Sequence, residues 1–298
     1  MIYQDIIEKH IQAGKIAATC LQYGKSLIKP GAKIKDILDS VENKISEMGG
    51  KLAFPAQISL NSVAAHACAE LSDETVLKDE VIKLDVGVPI DGYIADNALT
   101  VDLSGKYSSL IEANKKALDE ALKLVKPGVS LSEIGKKIHE VITEAGFSPV
   151  RNLSGHGLGH YKIHTSPSIP NFDNGNQNVL QEGMVIAIEP FASTGAGVVQ
   201  EAGYSTVFTL VKDISVRDPI TRKMLLQIKK YKGLPFAKRW LEREFGSAKT
   251  NFALRQLVNS GCLEQHPPLV DKEQGIVSQA EHSVIVLDEP IVFTRLQK

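Results

Sequence analysis

Five residues along this chain carry chemistry in places where a folded core would exclude it. Asp85 in "IKLDVGV", Asp96 in "YIADNA", His156 in "SGHGLGH", Glu189 in "VIAIEPF" and Glu281 in "QAEHSVIV" all sit among apolar or glycine-rich, strand-like neighbours. Taken singly, each has an ordinary reading: a satisfied buried carboxylate, a turn residue, a glycine-loop histidine, an edge-strand charge, a strand end meeting solvent. Together they are harder to dismiss, because a buried carboxylate without a counter-charge costs several kcal/mol or more. A shared cation answers all of them at once. Four carboxylates and one imidazole form an oxygen-rich donor set, better suited to a pair of adjacent divalent ions than to one tetrahedral zinc. Two such ions with a water between them are a device for hydrolysis. His66, His160 and His164 add acid, base or hydrogen-bonding candidates; the G-H-G-L-G-H spacing gives His160 the weakest case, on the far side of a turn.

These residues need a frame to bring them together. Apolar positions from Ile6 to Leu21 recur at helical spacing, with Gly24 and Pro30-Gly31 closing the segment, and a second helix fits Ile34 to Met48. "VIKLDVGVPIDGYIADNALTVDLS" reads as two strands joined at Asp91-Gly92, a favoured hairpin turn, with Asp85 on the first strand and Asp96 on the second. Helical patterns return at Ser108 to Val125 and Leu131 to Ala145, followed by a glycine-rich stretch and a strand-rich block from Met184 to Val211. The order helix, helix, strands therefore occurs twice. The fold expected is α+β, two duplicated helix-helix-strand halves around an antiparallel sheet. Between Val211 and Asp271 the texture turns charged and helix-prone, which predicts an inserted helical subdomain over 212-270 within a catalytic domain made of 1-211 and 271-298.

Composition narrows the partners. The 34 basic and 35 acidic residues give a net charge of -1, no footprint for nucleic acid or an anionic membrane. The basic strip "TRKMLLQIKKYKG" could serve a DNA-reading winged helix; a solvated helix face is the preferred reading. Three cysteines, Cys20, Cys68 and Cys262, are widely spaced and read as buried thiols of a reducing compartment. With no signal peptide or long apolar run at the start, a cytoplasmic location without membrane association is expected.

The ordered motifs "LDVGVPIDGYIADNA", with its D-x10-D spacing, "SGHGLGHYKIH", "VIAIEPF" and "QAEHSVIV" resemble the methionine aminopeptidases of the pita-bread fold, over nearly the whole chain. The helical insertion is similar to that of the type 2 subfamily, and the short start is similar to its archaeal members. The resemblance implies two divalent metal ions, Co, Mn, Fe or Zn, with Asp85 chelating one, Asp96 and Glu281 bridging both, and His156 with Glu189 holding the other. It implies hydrolysis by a metal-bridging water or hydroxide with Glu189 as proton shuttle. His66 would contact the scissile amide and His164 would stabilise the tetrahedral intermediate, while Phe54 and Ile163 would line the methionine pocket. Where related sequences commonly have a tyrosine, this chain has His266 in "EQHPPLV", which alters one pocket wall. The implied activity is removal of the N-terminal methionine from nascent proteins whose second residue is small, at the ribosome, by a monomer. Ile2 is large and β-branched, so the chain's own Met1 is expected to stay. Alternatives are a proline dipeptidase or aminopeptidase P of the same fold, which usually carries a separate N-terminal domain, and a non-catalytic RNA- or ribosome-binding relative, which loses ligands and gains basic tails.

Overall fold

A computed structural model describes residues 3–296, so Met1 and Ile2, on which the self-processing expectation rests, lie outside the described residues. The first half runs α1 (Gln4–Leu27), α2 (Ile34–Glu47), β1 (Gln57–Leu60), β2 (Val63–Ala65), β3 (Val81–Ile90) and β4 (Tyr93–Asp102). The second runs α3 (Ser108–Lys123), α4 (Leu131–Glu144), β5 (Ser148–Pro149), β6 (Ser154–Gly159), β7 (Lys162–Pro170), β8 (Val185–Ile188), β9 (Phe191–Ser193), β10 (Val199–Glu201) and β11 (Val207–Leu210). Then come α5 (Pro219–Ile228), β12 (Phe236–Ala237), α6 (Lys238–Phe245), α7 (Ser247–Asn259), β13 (Leu263–His266), β14 (Leu269–Asp271), β15 (Val277–Gln279), β16 (His282–Ile285) and β17 (Ile291–Val292).

The helix-helix-strand order recurs as expected. One core joins α1 and α2 to β3 and β4, through residues such as Ala17, Leu38, Leu84 and Ile94; a second joins α3 and α4 to β8 and β16, through Leu118, Ile138, Ile186 and Val284. Helix α1 does not close at Gly24 but continues to Leu27. Gly24 is there because a Cβ would come within 2.6 Å of Leu84 and 2.7 Å of Val41, so its absence lets α1 lie close on β3 and α2. Helix α4 begins with a full capping box, Ser130 with Glu133.

All the strand pairs are antiparallel, but the ladders form several sheets in place of one. β1-β3-β4 is one, β17-β16-β8-β6-β7 another, and the two meet where β4 lies against β16 and against β15 of the β15-β9-β5 sheet. At that seam Ala98 bridges Glu281, Ser283 Oγ lies 2.9 Å from the Asp96 amide and donates to the Asp96 carbonyl at 2.7 Å, and Thr100 Oγ1 donates to the Gln279 carbonyl at 2.6 Å. The insertion has its own core of Phe208, Met224, Leu225, Phe236, Leu254 and Leu257 among others. Its sheet, β12-β11-β13, takes in residues 207–210, whereas β14 pairs with β10 and β2 in the main body. Strand pairing ties residues 207–210 to residues 263–266, across the expected limit at 212, while residues 269–271 pair with β10 and β2. Cys20, Cys68 and Cys262 are buried free thiols. Among the described residues no helix is long and apolar enough to cross a membrane.

Candidate metal centre

The β3–β4 hairpin explains the D-x10-D spacing. Asp91 and Gly92 both take positive φ, +49° and +89°, the requirement of a two-residue turn whose twist suits a hairpin. The register then pairs Asp85 with Ala98 and Gly87 with Asp96. Directly opposed residues share a face, as do residues two apart along a strand, so the two aspartates are diagonal neighbours on one face. On the other side of the seam, His282 pairs with Ile188. Continuing that register by one step puts Glu281 against Glu189, and Glu281 N donates to Ala98 O at 3.1 Å, which carries its side chain toward the aspartates. His156 arrives on β6, opposite Ala187 of β8 and next to a bulge.

The result is a cluster with unsatisfied oxygens. Ligand atoms of Asp96, His156 and Glu281 lie within 4.8 Å of one another. His156 Nε2 is 3.7 Å from Asp96 Oδ2 and 3.5 Å from Glu189 Oε1, and Gln279 Nε2 donates to Asp85 Oδ2 at 3.4 Å. Asp85 Oδ1, Asp96 Oδ1 and Glu281 Oε1 are buried without a hydrogen-bond partner. Burial pushes the Asp85 carboxyl from 3.8 up to about 7. It also drives Asp96, Glu189 and Glu281 well above the usual carboxylate range, with the neighbouring carboxylates adding to the effect. His156 is held down to about 3, chiefly by burial and then by His164, so its imidazole is neutral and free to ligate. Among the described residues no lysine or arginine lines the surrounding cavity of about 230 Å³. The donor set fits a hard or borderline divalent cation.

Ten of the eleven residues singled out above line this one cavity: Asp85, Asp96, His156, Glu189 and Glu281, with Phe54, His66, Ile163, His164 and His266. His160 does not; its Nε2 meets the Asp91 carbonyl at 2.8 Å, tying the β6–β7 turn to the β3–β4 turn. The His164 ring lies edge-on to His156, centroids 4.4 Å apart, and His66 is edge-on to His266 at 5.8 Å. Burial lowers both His66 and His164 to about 4, with neighbouring imidazoles contributing.

Comparison with known proteins follows the same outline. The profile of metallopeptidase family M24 matches residues 8–217. A methionine aminopeptidase of Pyrococcus horikoshii is 45% identical over 97% of this chain and 99% of its own length. The chain belongs to metallopeptidase family M24. Its fold is the family's pita-bread fold: a thermophilic Arx1 superposes with a TM-score of 0.88 at 20% identity, over all of this chain and 93% of the other. Thermotoga maritima methionine aminopeptidase superposes with a TM-score of 0.72 at 23% identity, over 99% and 98% of the two chains.

Several residues of this M24 site gave no sequence signal. Gln57 accepts from the His66 amide at 2.9 Å and holds His66 at φ +65°, a left-handed conformation that costs a non-glycine residue on the order of 1 kcal/mol or more. Gly87 leaves room for Phe54, whose ring a Cβ would meet at 2.1 Å. Val207 and Pro235 bring the insertion into the wall, and Thr209 Oγ1 sits 2.8 Å from His266 Nε2. Of these, the D-V-G context of Gly87 was open to a closer reading, since a strand glycine marks close approach.

Proposed function

We propose that this M24 metallopeptidase removes the N-terminal methionine from peptides and nascent proteins whose second residue is small. One observation carries the reading: the uncompensated carboxylate cluster shares its cavity with an apolar slot, Phe54 and Ile163, and with two neutral imidazoles, His66 and His164. Methionine aminopeptidases of near-equal length support it. Asp85, Asp96, His156, Glu189 and Glu281 would hold the two divalent ions, and the same donors admit Co, Mn, Fe or Zn. Such ions would supply Lewis acidity, lower the pKa of a coordinated water and anchor the free α-amine.

The chain's own residues do the rest. Phe54 and Ile163 enclose the thioether, worth roughly 1.5 to 3 kcal/mol of burial, which favours methionine without absolute exclusion of similar side chains. His164, neutral, donates to the oxyanion that forms at the scissile carbonyl, and His66 orients the amide. Glu189 carries a proton toward the leaving amine. The crowded floor of the cavity limits the second residue. Nascent N-termini at the ribosome in the cytoplasm are the matching substrates, with the body of the chain catalytic and the inserted unit forming one wall.

The test is metal analysis of purified protein coupled to cleavage of Met-Ala-Ser with and without chelator. Activity that ignores chelation would end the metallopeptidase mechanism. Met-Ala-Tyr-Gln should be cleaved far faster than Met-Ile-Tyr-Gln, the chain's own start; comparable kcat/KM for the pair would refute the small-second-residue rule.

A further inference from the structure

Arg239 is the largest of the fully buried side chains described, and nothing in the chemistry above uses it. It sits in the first turn of α6, two residues after Ala237 of β12. Its NH2 donates to Glu42 of α2, its NH1 to Cys68 Sγ, and its Nε, 3.6 Å from Asp39 Oδ1, has no hydrogen-bond partner. Trp240 Nε1 donates to the other Glu42 oxygen at 2.9 Å. Taking such charges out of water costs several kcal/mol each, and apolar residues of similar volume hold elements together at least as well. Cohesion between α6 and α2 therefore does not account for a guanidinium here.

Where its contacts lead does. Each reaches a segment that ends at the cavity. The segment leaving α2 leads to Phe54, and Cys68 follows His66 by two residues. Ala237 pairs with Val207, which pairs on its other side with His266. Cys68, Val207 and Ala237 form one buried apolar cluster with Trp240 packed on it. Thr206 Oγ1 donates to the Cys68 carbonyl at 2.8 Å and Lys238 N donates to the Thr206 carbonyl at 2.8 Å, closing the ring. A planar fork with donors in fixed directions holds two partners at a set angle, which a lysine cannot do.

We propose that Arg239 is a positioning residue for substrate selection: through Glu42 and Cys68 it fixes the spacing between the His66 segment and the Val207–His266 rung, and so the width of the slot for the first side chain. This deepens the functional reading above and rests on it.

The experiment compares wild type, Arg239→Lys, Arg239→Met and Cys68→Ala, all supplied with the same divalent ion, on Met-Ala-Ser and Leu-Ala-Ser, with metal content and melting temperature recorded. Arg239→Met leaves Glu42 buried and unpaired and can fail to fold. Arg239→Lys keeps the charge, and Cys68→Ala removes one arm of the fork while leaving the ion pair. For Arg239→Lys the expected result is a KM for Met-Ala-Ser raised roughly tenfold, kcat within about twofold, unchanged metal content, and a methionine-over-leucine preference reduced by a similar factor. Cys68→Ala should move KM the same way by less. Wild-type KM and preference in both variants would overturn the proposal, as would a fall in kcat in step with metal loss. Hydrogen exchange over residues 65–68 and 206–209 judges the clasp without turnover: faster exchange in Arg239→Lys is expected, and wild-type protection overturns it. Failure of metal-loaded wild type to cleave Met-Ala-Ser would instead sink the functional reading.

Discussion

Two regions of this molecule bury carboxylates, and they treat them in opposite ways. Glu42 is buried against Arg239 and Trp240, each of its oxygens has a donor, and the cation comes from the same chain. Burial still raises its pKa, but the guanidinium pulls the other way. In the cavity, Asp85, Asp96, Glu189 and Glu281 crowd together with three oxygens unpartnered and, among the described residues, no lysine or arginine in the lining. In the first arrangement the carboxylate has its cation within the fold. The second is electrostatically unfinished, and that incompleteness is what a cation-dependent site requires: affinity for an ion is kept in reserve as repulsion among the ligands.

The comparison can be broken most directly at two of the crowded carboxylates. Glu281→Ala or Asp96→Ala should lower kcat/KM on the order of 10³-fold or more, with metal content falling in parallel; retained activity in either would show that the cluster is not the reaction centre. Next comes the sign of the electrostatics. Asp85 is protonated in the metal-free fold up to about pH 7 but ionised in the unfolded chain above its ordinary 3.8. The unfolded state therefore binds fewer protons across that window, and the residue's contribution to stability falls as pH rises through it. In chelator, Asp85→Asn should leave stability unchanged near pH 4 and raise it progressively toward pH 7, to a limit on the order of 4 kcal/mol. Denaturant melts of the two proteins across pH cancel the histidine contributions; destabilisation at pH 7 would contradict the unfinished-site reading.

The complete cluster should respond in the reverse sense. Glu42→Ala strands Arg239 and should destabilise by about 3 to 5 kcal/mol at neutral pH, with or without metal. A metal-dependent effect would mean that the two regions are not separate. The smallest change is at His164. Replacing it with alanine should lower kcat by about 10² to 10³ while metal content stays near wild type; a parallel loss of metal would make His164 a ligand and enlarge the cluster.

The metal-site candidates were legible before any coordinates because charge among apolar neighbours is a local signal. Asp85 and Asp96 could be placed on one hairpin from Asp91-Gly92 alone, and helices α2 to α4 end within a residue or two of where their apolar spacing stops. On the insertion side of the cavity His266 stood out in the sequence, but Val207 and Pro235 did not. Val207 sits in a short strand and Pro235 in the loop before β12, and the strand pairs 207–266 and 207–237 link residues distant in sequence. Gly24 misled for a related reason: a helix breaker by propensity, it is a packing residue once Leu84 and Val41 lie against it.

Residue chemistry, short-range periodicity and turn type belong to the sequence itself, since they depend on neighbours a few positions away. They were enough for the α+β duplication, the hairpin, the donor set and the family resemblance. What only the tertiary structure decided is convergence. The seam between β4 and β16 sets Glu281 beside Asp96, the Gln57 side chain holds His66 in a left-handed turn, and a buried Arg239 ties α6 to Glu42 and Cys68. Those relations join residues separated by nine to nearly two hundred positions. No local pattern encodes them, because their energy comes from desolvation and pairing that exist only after the chain has closed on itself.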